Sequence, residues 1–275
     1  MKTTISSIRC FEPRTLREAL AILRDEGAVT PLAGCTDIFV NLQFGAKPAK
    51  QYVNILPLKE LSGIRLKNNI LTIGSLTTYS ELIESSLIQK KLPMLAAAAR
   101  EVGGIQIQNR GTIGGNIANG SPAGDTLPVF AAADATVILI SAGGERRIPF
   151  NEYYTGYKQN VSRPGELIQS VEVPVPAGRQ WFHKIGTRAA NAISKVVFAG
   201  VRGESVRAAV GSVGPTVLRV YKTEKLIKDG ADEERMVNMF KSEIHPIDDL
   251  RSTAAYRKHV AANLLIRFCR ETSEK

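Results

Sequence analysis

Two glycine-bearing segments hold the residue types that bind phosphate. The first is Pro31-Leu32-Ala33-Gly34-Cys35-Thr36-Asp37-Ile38, directly after a predicted strand. The second is Asn109-Arg110-Gly111-Thr112-Ile113-Gly114-Gly115-Asn116-Ile117-Ala118-Asn119-Gly120. A phosphate needs backbone N–H donors at close range and no Cβ in the way, and glycine supplies both. The hydroxyls of Thr36 and Thr112 and the amide of Asn116 are additional donors. Two such loops can cradle the two phosphates of a dinucleotide from opposite sides. Tight turns without a ligand use glycine too, and the first segment alone fits that reading. The second has four glycines and three asparagines between apolar flanks, and residues 109–125 read as a structured binding loop. Asp125 follows it in Ser121-Pro122-Ala123-Gly124-Asp125-Thr126. It can serve as a helix N-cap, or as a carboxylate that accepts hydrogen bonds from ligand hydroxyls such as a ribityl chain.

The missing motifs narrow the chemistry. No G-x-G-x-x-G occurs, so a Rossmann dinucleotide site is not indicated, and no Gly-Lys dipeptide occurs, which excludes a Walker A loop. No G-x-S-x-G is present for a hydrolase elbow. The three histidines, His183, His245 and His259, show no metal-ligand spacing. Cys10, Cys35 and Cys269 form no C-x-x-C pair, while an iron–sulfur cluster needs about four thiolates at close spacing.

The elements that must position these loops show in the pattern. Thr15-Leu16-Arg17-Glu18 is a capping box opening a helix with Leu16, Ala19, Leu20 and Leu23 on one face and Gly27 at its end. Short strands are predicted over 28–33 and 52–55. Asn68-Asn69 tolerates positive φ and predicts a hairpin between 64–67 and 70–73. A second capping box, Thr78-Tyr79-Ser80-Glu81, precedes an Ala-rich helix over 92–102 with Pro93 near its start. Gly143-Gly144 predicts a hairpin between 134–140 and 145–148, and 167–175 reads as a strand. Pro174-Val175-Pro176-Ala177-Gly178 is the best domain boundary. Beyond it, 181–186, 195–201, 206–212 and 217–220 read as strands, and 233–241 and 253–270 as helices. The architecture is mixed α+β in three lobes, about 1–55, 56–176 and 177–275.

Composition limits the setting. A hydrophobic content of 44% suits a globular chain with packed cores, and no stretch approaches the roughly 18 apolar residues of a spanning helix. The start, Met1 to Ile5, lacks the apolar core of a secretory leader, and three unpaired cysteines suit a reducing compartment, so a cytoplasmic protein is expected, with no membrane role. The net charge of +10 comes from scattered cations without interleaved aromatics. That argues against nucleic acid and for an anionic ligand or an acidic partner.

Ala33-Gly34-x-Thr36-Asp37, then Thr112-Ile113-Gly114-Gly115-Asn116-Ile117 with Ser121-Pro122-x-x-Asp125 behind it, resembles the FAD-binding (medium) subunit of the xanthine dehydrogenase and carbon monoxide dehydrogenase family of molybdenum hydroxylases. The similarity runs the whole length, from Phe11-x-Pro13-x-Thr15-Leu16-x-Glu18-Ala19-Leu20 to Asp249-Leu250-Arg251-Ser252-Thr253-Ala254-Ala255-Tyr256-Arg257-Lys258. The resemblance implies a two-lobed FAD-binding domain over 1–176, of the vanillyl-alcohol-oxidase-like FAD fold, and a C-terminal α+β domain over 177–275. It implies FAD extended between the first two lobes, its pyrophosphate against Pro31–Ile38 and Gly111–Asn116, with Asp125, Ile168 and Lys184 also touching the cofactor and Lys184 as a cation near the flavin. The third lobe would cover the isoalloxazine side.

The resemblance further implies partners: a molybdopterin-binding large subunit and a small subunit with 2Fe–2S clusters, in a hetero-oligomer such as a dimer of heterotrimers. Electrons would pass from the clusters through FAD to NAD⁺ or another acceptor. Three departures stand out. Cys35 takes the place of a second glycine, which implies a backbone restricted to negative φ. Ala192 replaces a common Asp, removing a charge near the flavin, and Val102 replaces an aromatic that stacks in eukaryotic relatives. Competing readings are a stand-alone FAD-dependent oxidoreductase of the same fold, and a scaffold subunit that has lost its flavin.

Overall fold

The computed structural model describes residues 8–273, so the start read above for a leader lies outside the described residues. A first sheet is small and parallel: β1 (Arg9–Phe11), β2 (Thr30–Leu32) and β3 (Gln51–Asn54), in the order β1-β3-β2. Its first crossover is α1 (Leu16–Asp25). Thr15 accepts from the Glu18 amide at 3.2 Å and so caps the helix, while Glu18 reaches back past the cap to the Arg14 amide at 2.7 Å, not to Thr15 itself as the predicted capping box would have it. Ala19, Leu20 and Leu23 are buried against Val53, Ile55 and Leu58, as the helical spacing predicts, and Gly27 follows the helix at φ 74°.

The second crossover holds α2 (Thr36–Gln43) where the sequence reads only as a loop. It buries none of its residues, so it carries no amphipathic signature to find.

A second sheet is antiparallel, in the order β4-β5-β10-β6-β7: β4 (Ile64–Lys67), β5 (Ile70–Gly74), β6 (Thr136–Ser141), β7 (Gly144–Pro149) and β10 (Leu167–Pro174). Asn68 and Asn69 both have positive φ, 50° and 61°, which is what a two-residue turn matched to the strand twist requires. Between β5 and β6 the chain winds through α3 (Tyr79–Glu84), α4 (Ser86–Lys91), α5 (Pro93–Arg100), α6 (Ile105–Arg110), α7 (Ile113–Asn119) and α8 (Leu127–Ala132). After β7 come α9 (Phe150–Tyr153) and the two-stranded ribbon β8 (Tyr154–Gly156) and β9 (Gln159–Asn160). Leu71, Ile73, Val137, Leu139, Val171 and Val173 on the sheet share one core with Leu95, Ala98, Phe130 and Ile117 on the helices.

The third sheet is antiparallel, β11-β12-β13-β14: β11 (Arg179–Ile185), β12 (Val196–Arg202), β13 (Val206–Gly211) and β14 (Leu218–Arg219). Helices α10 (Tyr221–Lys228), α11 (Glu233–Glu243) and α12 (Ala254–Thr272) accompany it. Phe268 of α12 lies so close to Gly200 of β12 that a Cβ there would fall 2.5 Å from its ring. The expected mixed α+β class holds throughout, and no described helix is long and apolar enough to cross a membrane.

The third sheet docks on the segment that follows α7. Ser212 N–H donates to Pro122 O at 2.8 Å, Ser194 Oγ to Ala123 O at 3.1 Å, and Arg219 Nη1 to Ala131 O at 3.1 Å. Asp134, at the turn into β6, accepts from Arg207 and Arg219. Residues 121–125 are therefore held between α7 and the third sheet.

A candidate cofactor cleft between the two glycine segments

The two glycine segments meet. A Cβ on Gly34 would lie 1.7 Å from the carbonyl oxygen of Arg110, and only glycine permits that approach. Between them opens a cavity of about 380 Å³ lined by Pro31, Ala33, Gly34, Cys35, Thr36, Asp37 and Ile38 on one side. Gly111, Thr112, Gly114, Gly115, Asn116 and Asn119 line the other, and Ile168 lines its wall from β10. Leu32 and Ile113 are not among the lining residues. Leu32 is paired in β2, and Ile113 is fully buried on the inner face of α7, where an apolar side chain is drawn to the core rather than to a ligand.

The two segments differ in what they offer. The backbone N–H groups of Gly34, Cys35, Thr36, Asp37 and Ile38 donate to no described residue. They form a run of free donors at the start of α2, where the helix dipole also favours an anion. Cys35 makes the run possible by adopting φ 63°, ψ 7°. This corrects the expectation of negative φ: the residue keeps the left-handed conformation that a glycine would take there. Its thiol donates to Ala33 O at 3.4 Å, and burial pushes its pKa up.

The second segment, by contrast, is a helix start whose first-turn amides, those of residues 113–116, are spent. Ile113 N–H donates to Thr77 O at 3.0 Å and Gly114 N–H to Ser75 O at 2.7 Å. Gly115 N–H caps on Thr112 Oγ1 at 3.1 Å. Both the expected loop conformation and the expected amide donors of this segment are thus corrected. A Cβ on Gly114 would strike Ser75 at 2.5 Å, so this glycine serves packing. Gly115 is exposed to the cavity, and a Cβ there would meet only Thr112 Oγ1, at 3.0 Å. The polar group this helix presents is Asn116: its Oδ1 accepts from Thr126 at 2.6 Å, which leaves its Nδ2 facing the cleft without a partner among the described residues.

A second cavity of about 740 Å³ continues from the first, and both share Thr36, Asp37, Asn41, Tyr79, Asn116 and Asn119. It runs along Ser121–Asp125 to Ala192–Ser194, Ser212 and Arg257 of the third unit, and Val102 also lines it. Asp125 is not a helix cap: α8 begins after Thr126 with no side-chain cap. Its carboxylate is buried, with Oδ2 on Lys184 Nζ at 2.7 Å and Oδ1 without a partner. Burial raises its pKa to about 7, against the pull of Lys184.

Lys184 lines neither cavity. Expected as a cation near the flavin, it is enclosed behind Asp125 and donates also to Glu101 O at 2.7 Å. A buried ammonium needs acceptors, and it has taken these two. Asp37 accepts from Asn119 at 3.0 Å, and desolvation by the walls of the cleft raises its pKa. Sequence reading missed Ser75, Tyr79, Tyr153 and Glu166, which all line the first cavity from outside the glycine segments.

These features fit an elongated, diphosphate-bearing dinucleotide such as FAD. Free amides converge where phosphate would lie, a glycine leaves the opposite wall bare, and a buried carboxylate oxygen lacks the hydroxyl it can accept from. The two spaces together suit a ligand longer than a mononucleotide.

Comparison with known proteins agrees. Residues 6–176 match the family described as FAD binding domain in molybdopterin dehydrogenase, and residues 182–272 match the CO dehydrogenase flavoprotein C-terminal domain. The chain is 30% identical to the glyceraldehyde dehydrogenase medium chain of Sulfolobus acidocaldarius, over 94% of this chain and 96% of that one. It superposes on a carbon monoxide dehydrogenase from Hydrogenophaga pseudoflava with a TM-score of 0.87 at 28% identity, covering 94% and 95% of the two chains. The fold is shared with quinoline 2-oxidoreductase from Pseudomonas putida 86, at a TM-score of 0.90 and 21% identity over 96% of each chain. The chain belongs to the FAD-binding subunits of the molybdenum hydroxylases.

Proposed function

We propose that this chain is the flavin relay of a hetero-oligomeric molybdenum hydroxylase of the cytoplasm. It accepts electrons from the 2Fe–2S clusters of a small subunit, which a molybdopterin-binding large subunit has reduced, and passes them to NAD⁺ or another acceptor. Residues 1–176 act as the FAD-binding domain and 177–275 as the C-terminal domain that closes over it. The observation that carries this reading is the continuous cleft with free amides at Gly34–Ile38 and an unpartnered Asp125 Oδ1 further along.

FAD, when bound, supplies the exchange between single-electron and hydride chemistry. The chain's own residues hold and orient it. The Gly34–Ile38 amides and Asn116 Nδ2 bind the diphosphate, and Gly115 leaves room for it. Asp125 Oδ1 accepts from a ribityl hydroxyl, while Lys184 fixes that carboxylate from behind and offsets part of the cost of its burial. Ile168 contributes an apolar wall. Among the described residues no group of three or more His, Cys, Asp or Glu side chains could hold a metal. In this reading the hydroxylation chemistry and the clusters belong to partners.

Isolation from the native host tests the assignment. A tagged chain is expected to bring down molybdenum and iron with it. The chain alone, reconstituted with FAD, is expected to reduce a dye with NADH yet to hydroxylate neither purine nor aldehyde. Hydroxylation by the lone chain, or isolation from the host without either metal, contradicts the subunit reading. Dye reduction by donors other than NADH alone reassigns the acceptor.

A further inference from the structure

Tyr79 occupies the junction of the two cavities and is 4% exposed, yet it lines both. Its place is tightly determined. It is the first residue of α3, whose start is set by the reciprocal capping box of Thr78 and Glu81. Its amide donates to Gly111 O at 3.3 Å. Its ring lies against Gly111, where a Cβ would fall 2.7 Å from ring carbon Cε2. The glycine of the second segment is thus what lets the ring sit there.

The hydroxyl is unspent. Tyr153 pairs with Ser162 at 2.9 Å, Tyr154 donates to Ile117 O at 2.8 Å, and Tyr52 accepts from the Ala49 amide at 2.8 Å. Tyr79 Oη has no hydrogen-bond partner among the described residues. Burial, with Asp37 and Asp125 nearby, raises its pKa well above the ordinary value, so it remains a donor at every working pH. A ligand running from the first cavity into the second must pass it, and a hydroxyl that no protein group engages is free to donate to that ligand.

We propose that Tyr79 is a cofactor-positioning residue whose hydroxyl donates to an oxygen in the diphosphate–ribityl stretch of the bound dinucleotide. This deepens the FAD-binding reading and rests on it. The hydroxyl works from the wall opposite the Gly34–Ile38 amides, so the two together fix the middle of the cofactor and, with it, the direction in which its flavin end enters the second cavity.

The test is Tyr79→Phe, which keeps the ring and removes only the donor. FAD is titrated into apo wild-type and variant chains by quenching of flavin fluorescence, and thermal melting is followed with and without FAD. The expected result is unchanged apo melting, a Kd for FAD raised about three- to tenfold, as loss of one hydrogen bond gives, and a smaller melting shift on FAD addition. Equal Kd values in the two chains overturn the proposal. So does a fall in apo melting with the FAD-induced shift intact, which assigns the hydroxyl to stability alone. Failure of the wild-type chain itself to bind FAD overturns the underlying reading, and the wild-type titration reports that separately.

Discussion

At the level of single residues, the glycines of the cleft divide by what a Cβ would meet. Gly34 and Gly114 face protein backbone at 1.7 Å and 2.8 Å, while Gly115 faces the cavity. Gly34→Ala and Gly114→Ala are therefore expected to destabilise the apo chain by about 1–3 kcal/mol or more, as overpacking does. Gly115→Ala is expected to leave apo stability near wild type, because better helix propensity, about 1 kcal/mol, offsets the contact with Thr112. Its methyl group, and more so the side chain of Gly115→Val, should cost FAD retention. Melting curves and bound-flavin absorbance check both, and full flavin occupancy in Gly115→Val would remove this wall from the site. None of this division is legible in sequence, where each is simply glycine. The same holds for Lys184 and Asp125, whose mutual pairing joins residues 59 positions apart. Tyr79 was hidden by a strong local signal, the capping box, which explains the residue's helix but not where its hydroxyl points.

Among the elements, legibility follows periodicity and turn chemistry. The helix α1, the Asn68-Asn69 hairpin and the long α12 lie where spacing and caps put them, within a few residues at each end. The two helices that shape the cleft were not visible. Helix α2 buries nothing, and α7 hides its helical character behind two glycines that read as loop. What makes α7 helical is its ends: Thr112 caps its start, and Gly120 ends it at φ 56°. Thr112→Ala should thus lower stability by about 0.5–2 kcal/mol. It should also weaken FAD binding, because it releases the turn that presents Gly115 and Asn116. Denaturant midpoints for the apo protein and FAD titrations would measure the two effects. Unchanged values for both would show that the cap does not hold this helix.

For the molecule as a whole, the third sheet matters because it grips the Ser121–Asp125 segment and supplies Lys184 to it. The overall charge of +10 suits an anionic cofactor and acidic neighbours, although the chain's cations are spread rather than massed. Whole-length resemblance was readable from the two glycine segments and the Phe11–Leu20 and Asp249–Lys258 stretches. Their placement was not, since the second segment's satisfied amides follow from Ser75 and Thr77, which carry no motif, and the first segment's free ones from the left-handed turn at Cys35. FAD is the occupant proposed for this cleft. The most direct measurement is to purify the chain, release its cofactor by denaturation and identify it chromatographically. FAD equimolar with the chain is the predicted result, and recovery of FMN alone, or of no flavin after incubation with FAD, would contradict the account.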